Sequence, residues 1–236
     1  MLRLFFSGVI TLVTGRKKEI EVSYDAINKN RITSMNKRIF DIACSFFGLV
    51  VLSPVFLVLG LTIKFKEPRG TIFFKQRRVG GNGKVFFIYK FRSMKLNADQ
   101  ILHADENLYK KYVQNGYKLG PKEDPRVTKL GAILRETSLD ELPQLFNVLI
   151  GDMSLVGPRP IVEEELVEYE KTGTKEAFLK MKPGITGVWQ ISGRSNVGYP
   201  DRVYLELSYL EKRSTVFDFK VIIKTLWKVL AREGAY

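Results

Sequence analysis

Ile42 to Ile63 is an apolar run of 22 residues without a charge. As a helix it is about 33 Å long, against about 30 Å for the hydrocarbon core of a bilayer. An unbroken spanning helix is the simplest reading, and two features pull away from it. Ser53-Pro54 stands at the midpoint, where a proline removes one backbone hydrogen bond and bends a helix. Both flanks are basic: Arg31, Lys37 and Arg38 before the run, Lys64, Lys66 and Arg69 after it. Positive flanks stay on the cytoplasmic side. The pattern therefore favours a re-entrant helix over residues 39–65, broken at Ser53-Pro54, that enters and leaves on one face. The Ser53 hydroxyl can satisfy a backbone group freed at the break.

Ahead of this run, Leu4 to Val13 is apolar but too short to span, and Arg16-Lys17-Lys18 follows where a signal cleavage site would need small residues. Residues 1–34 are expected to be an extension, interfacial as a helix or weakly ordered, ahead of one compact unit over 35–236. Thr71 to Val79 and Lys84 to Met94 read as strands around Gly80-Gly81-Asn82-Gly83, a β-hairpin. On the second strand, period two puts Lys90 and Arg92 on one face with Phe86 and Ile88. Leu96 to Tyr117 has the spacing of one or two polar surface helices, and Thr128 to Arg135 begins another. Lys182 to Gly187 and Gly193 to Asn196 read as loops. Tyr199-Pro200-Asp201 opens a helix to about Arg213, with proline in its first turn. In Phe217 to Leu230, Lys220, Lys224 and Lys228 recur on one side, while Ile223, Leu226, Trp227 and Leu230 cover the other. That pattern suits a helix in the headgroup plane, or a terminal helix docked on the core. The sum is an α+β chain, mostly helical.

Charge narrows the partners. The formal charge is +13, and between Lys64 and Lys95 ten Lys/Arg face one acid, Glu67, a local +9. Such a block calls for an anionic partner: nucleic acid, an anionic lipid surface or a phosphorylated substrate. One cysteine, Cys44, and one histidine, His103, exclude a disulfide framework and a Cys/His zinc site. A histidine-based triad would need His103, which stands in a polar stretch with no nucleophile motif.

The densest chemistry lies in Leu134 to Pro160, LRETSLDELPQLFNVLIGDMSLVGPRP. Asp140 and Glu141 are adjacent, with Arg135 upstream and Arg159 downstream. A structural reading exists: Ser138-x-x-Glu141 fits a capping box. Pro143 weakens it, because it would fall past the first turn; a helix starting nearer Leu142 leaves both carboxylates at its mouth. Arginines bind phosphate through a planar fork. Carboxylates hold Mg²⁺ that bridges diphosphate oxygens, and a carboxylate can attack phosphorus to form an acyl phosphate.

Lys37-Arg38-Ile39-Phe40-Asp41, Ser53-Pro54, Phe74-Lys75-Gln76-Arg77, Tyr89 to Met94, Leu139 to Gln144, Gly151-Asp152-Met153-Ser154, Gly157-Pro158-Arg159-Pro160 and Lys182 to Gly187 occur in this order. Together they resemble the bacterial sugar transferase family, the monotopic phosphoglycosyl transferases, over about Met35 to Leu230. The resemblance implies transfer of a sugar-1-phosphate from a UDP-sugar to a polyprenyl phosphate, commonly undecaprenyl phosphate, as the first membrane step of glycan assembly. It implies Mg²⁺ and an active site on the cytoplasmic face of the bacterial inner membrane. By position, Asp140 matches the nucleophile, which holds the phosphosugar covalently and releases UMP. Glu141 matches its partner, a base or an aid to metal placement, so both acids are candidate metal ligands. Arg135 and Arg159 match phosphate-binding arginines. Arg194 is a candidate nucleotide contact, and Lys90 and Arg92 are candidates for the diphosphate or lipid phosphate. Leu96 to Lys122 matches no recognisable motif and is a candidate for sugar choice. A hydrolase using the same aspartyl chemistry, or a basic membrane scaffold, are the competing readings; the apolar run disfavours a soluble nucleic-acid binder.

Overall fold

A computed structural model of the chain describes residues 9–12, 18–21, 31–115, 117, 119–120 and 123–231. Val9–Leu12 (β1) and Lys18–Glu21 (β2) pair antiparallel, so this part of the N-terminal extension is a strand pair rather than a helix. The rest of residues 1–30 lies outside the described set.

Two helices follow, Arg31–Val51 (α1) and Ser53–Lys66 (α2). Among the described residues no single helix is long and apolar enough to cross a membrane. Met35–Val51 and Ser53–Lys66 reach that length and apolarity only together, bent by 60°. The cause of the bend is legible atom by atom. Pro54 has no N–H to give to the carbonyl four residues back, which belongs to Val50. The Ser53 hydroxyl donates to that same carbonyl at 2.7 Å. Large apolar side chains of both helices face outward, up to Phe65 at 83 % exposed.

Phe73–Val79 (β3) and Val85–Phe91 (β4) form the expected hairpin, with Phe74 opposite Lys90 and Arg78 opposite Phe86. Asn82 and Gly83, both at positive φ, carry the turn. Ala98–Ala104 (α3) and Glu106–Gln114 (α4) occupy the polar stretch, and Lys129–Glu136 (α5) follows. A 3₁₀ turn, Leu139–Glu141, precedes Gln144–Ile150 (α6).

Ser154–Val156 (β5) and Gly184–Thr186 (β6), the second within an expected loop, pair in parallel. Each strand has three residues, too short for any periodicity to register. The pairing rests on close backbone approach: a Cβ on Gly184 would lie 2.1 Å from the Gly157 nitrogen, and one on Gly157 2.3 Å from the Lys182 carbonyl oxygen. Glycine in both motifs is thus a packing requirement. Helices Leu166–Lys171 (α7), Lys175–Leu179 (α8), Val188–Ser192 (α9), Asp201–Lys212 (α10) and Thr215–Leu230 (α11) complete the chain.

Three apolar clusters hold these elements. The largest joins Val156, Ile161, Tyr169, Val203, Leu207 and Val221. A second joins the hairpin to α6 through Phe86, Ile88, Val148 and Met153. The third joins α2, β4 and α5 through Ile63, Phe91 and Leu134. α11 docks on the core through Asp218 and Val221, while Ile223, Leu226, Leu230 and Trp227, at 71 %, stay exposed.

Polar tethers bind the bent helix pair to the rest. Arg38 donates to the Val148 and Leu149 carbonyls at 2.6 and 2.8 Å, covering the last turn of α6. Asp41 accepts the Leu155 N–H at 3.1 Å, and Lys37 pairs with Asp218 at 2.5 Å. The Lys37-Arg38-Ile39-Phe40-Asp41 motif therefore ties α1 to the helix that follows the acid pair, to β5 and to α11.

Candidate active site

α5 brings the first arginine into place. The Thr128 hydroxyl accepts the Gly131 N–H at 2.9 Å and caps the helix. Gly131 lies so close to the end of the hairpin that a Cβ would sit 1.8 Å from the Ser93 carbonyl oxygen. One turn on, Arg135 Nε donates to the Ser93 hydroxyl at 3.1 Å. The chain then reverses at Ser138, whose φ is 56°. Ser138 forms no side-chain cap, so the capping box is not made; the helix begins after Pro143, leaving the acid pair just ahead of it. In the 3₁₀ turn, Leu139 and Leu142 pack into the Ile63–Phe91–Leu134 cluster. Asp140 and Glu141 line a cavity of about 690 Å³.

Lys90, Arg92, Arg135, Arg159 and Arg194 line the same cavity. Glu141 Oε1 lies 2.7 Å from Lys90 Nζ and 3.6 Å from Arg159 Nη1. Lys90 thus continues the inward face of Phe86 and Ile88, as period two predicts. Arg92 lines the cavity too, but its guanidinium also donates to the Thr71 carbonyl at 2.8 Å and to the Thr71 hydroxyl at 2.5 Å, which ties it to the edge of the hairpin. Two cations escaped the sequence reading. Arg78 shares the cavity wall, donates to the Pro160 carbonyl at 3.3 Å and lies 3.6 Å from Glu165. Arg126 is held by Asp124 at 2.8 Å. Arg78 was in principle legible: two residues past Gln76 on β3, it shares the inward face once the hairpin register is known.

The two acids differ electrostatically. Asp140 is 5 % exposed and makes no hydrogen bond among the described residues. Burial pushes its carboxyl up to about 6; Lys90, Arg135 and Arg159 oppose the shift, and Glu141 adds to it. Burial acts on Glu141 in the same direction, but Lys90 and Arg159 outweigh it and hold Glu141 well below the usual carboxylate range. Burial also lowers Lys90 and Arg135 from their usual values.

Behind Arg159 lies a buried ionic network. The Arg159 N–H donates to Glu206 at 3.2 Å. Glu206 is bonded by the Tyr169 hydroxyl and by Arg202 Nε at 3.2 Å. Arg202 also pairs with Glu165 at 2.9 Å, and Tyr199 donates to Glu165 at 2.8 Å. The network fixes the Gly157-Pro158-Arg159-Pro160 backbone from beneath.

The family model for bacterial sugar transferases matches residues 32–232. The chain belongs to the bacterial sugar transferase family. Curated relatives of the chain include the undecaprenyl-phosphate galactose phosphotransferase of Salmonella typhimurium, 45 % identical over 85 % of the chain and 41 % of the relative. The exopolysaccharide production protein ExoY of Sinorhizobium fredii is 41 % identical over 87 % of the chain and 90 % of the relative. The UDP-glucose:undecaprenyl-phosphate glucose-1-phosphate transferase of Escherichia coli is 37 % identical over 87 % and 42 %. The chain thus spans about two fifths of the length of the Salmonella and Escherichia relatives and most of the length of ExoY.

Among the described residues, no group of three or more His, Cys, Asp or Glu is placed to hold a metal ion. The cavity offers two carboxylates, of which Asp140 is unbonded and Glu141 is engaged through one oxygen. That donor set fits Mg²⁺, which keeps several waters and takes one or two carboxylates plus substrate phosphate oxygens. It does not fit a metal caged by protein alone.

Proposed function

We propose that this chain transfers a sugar-1-phosphate from a UDP-sugar to a polyprenyl phosphate, commonly undecaprenyl phosphate, through a covalent intermediate on Asp140. The observation that carries the reading is a buried carboxylate, free of hydrogen bonds, in a cavity it shares with five of the candidate cations. Lys90, Arg135, Arg159 and Arg194 bind and orient the diphosphate. An Asp140 oxygen attacks the β-phosphorus, the bond from that phosphorus to the bridging oxygen breaks, and UMP leaves with the electron pair. The lipid phosphate oxygen then attacks the same phosphorus and Asp140 departs as carboxylate. Glu141, ionised and paired with two cations, is suited to hold Lys90 and Arg159 in place rather than to accept a proton. Asp140 and Glu141 would hold Mg²⁺ with the donor diphosphate, where the ion supplies charge neutralisation.

The bent pair α1–α2 enters the cytoplasmic leaflet of the bacterial inner membrane and returns, with the exposed face of α11 in the headgroup layer. Basic residues at both ends and the 60° bend support that placement. Detergent-solubilised protein, given Mg²⁺, undecaprenyl phosphate and a panel of UDP-sugars, is expected to release UMP from at least one donor, and before the lipid is added. Asp140→Ala abolishes release. A strictly ternary mechanism, or full activity of Asp140→Asn, would overturn the covalent route.

A further inference from the structure

The cations account for only part of the donor cavity. Much of the remaining lining comes from the segment that matches no motif, the ends and inner faces of α3 and α4. Its chemistry is different. His103, Tyr109, Tyr112 and Tyr117 form a row of rings with successive centroids 5.3, 6.3 and 5.9 Å apart. Arg126, itself locked by Asp124, lies 5.4 Å from the Tyr112 centroid and fixes the middle of the row. The Tyr112 hydroxyl has no hydrogen-bond partner among the described residues. α4 buries no residue of its own, so core packing does not explain its aromatics. A helix that adds nothing to the core yet walls the cavity has its role in the cavity.

We propose that α3 and α4 form the sugar-recognition wall of the donor cavity, with Tyr109 and Tyr112 as specificity-determining residues that stack on the apolar face of the hexose ring. The inference rests on the reading of the cavity as the UDP-sugar site. The diphosphate requires cations, and this wall offers rings and the polar side chains of Asn97, Asp99 and Gln100. A hexose presents one C–H face for a ring to cover and a rim of hydroxyls that both donate and accept. The uracil edge is better matched elsewhere in the lining, at Gln190, whose buried amide has no partner on either its nitrogen or its oxygen.

The test is kcat/KM for UDP-glucose, UDP-galactose and their N-acetylated counterparts, measured on full-length Tyr109→Leu and Tyr112→Leu in detergent, alongside inhibition by UMP. Leucine keeps bulk and removes the aromatic face. Thermal unfolding of both variants is expected to stay close to the wild type, because no residue of α4 is fully buried. The expected result is a change of about tenfold in discrimination between the preferred donor and its epimer, with UMP inhibition within about twofold of wild type. Loss that is equal for all donors and accompanied by weaker UMP inhibition would assign the wall to the nucleotide and overturn the proposal. A wild type that turns over while both variants keep its donor ranking overturns the wall alone. A wild type that releases UMP from no donor overturns the transferase reading and the wall with it.

Discussion

Asp140 and Glu141 are neighbours in sequence with opposite electrostatic fates. Asp140 lies unbonded with its carboxyl pushed up, and Glu141 is pinned by Lys90 at 2.7 Å. A sequence shows two acids; which is left free and which is anchored follows from who reaches whom. Glu141→Gln removes the charge that holds Lys90 and Arg159. UMP release is expected to fall about 10²-fold, with no loss of folded protein by circular dichroism. Glu141→Gln at wild-type rate would mean that those cations need no partner. Arg92, one residue past the end of β4, shows the limit of period-two reasoning: nothing local announces that Thr71 captures its guanidinium.

At the scale of elements, the patterns with many repeats were legible and the short ones were not. The hairpin, the broken apolar helix, α5, α10 and α11 all announce themselves by periodicity and by proline or glycine. The parallel pair β5–β6 does not, because its three-residue strands are set by contact between Gly157 and Gly184 across the fold. Gly184→Ala places a methyl group on the backbone of the facing loop. It is expected to yield little folded protein, with any survivor unfolding at least about 10 °C lower. The bend makes its own prediction. Pro54→Ala restores an N–H for the Val50 carbonyl and should straighten α1–α2. With Cys44→Ser and Lys66→Cys in the background, an impermeant maleimide applied from outside the cell should not reach residue 66 in the parent and should label it in Pro54→Ala. Labelling of the parent from outside would contradict a re-entrant path.

For the whole molecule, the bent helix pair and the elements around the cavity are one packed unit. Lys37, Arg38 and Asp41 run from α1 to α11, α6 and β5, and the network of Glu165, Arg202, Glu206 and Tyr169 fixes the loop carrying Arg159. Burial raises Glu165, but Arg202 and Arg78 outweigh it and leave it below the usual carboxylate range. A carboxylate lowered in the folded state stabilises the fold above its unfolded value of about 4.3. That stability is lost as pH falls through the depressed value. Glu165→Gln takes the carboxylate from buried Arg78 and leaves buried Arg202 with Glu206 alone, and is expected to cost about 3–5 kcal/mol at neutral pH. The cost should shrink on acidification, read as converging denaturation midpoints of mutant and wild type. A constant gap at all pH values would assign the loss to packing instead of charge.

By itself the sequence determined the apolar helix and its break, the hairpin, the basic surface, the acid pair and the family, because each is written in neighbouring residues or in ordered short motifs. The tertiary structure alone decided that residues from 78 to 194 meet around one cavity, that Arg78 joins them while the Arg92 guanidinium is held at its rim by Thr71, and that α3 and α4 wall the same cavity. It also decided the fates of the two acids. Contacts between residues 50 to 110 positions apart depend on how elements pack, and burial and paired charge, which set the chemistry of each acid, exist only after they have packed.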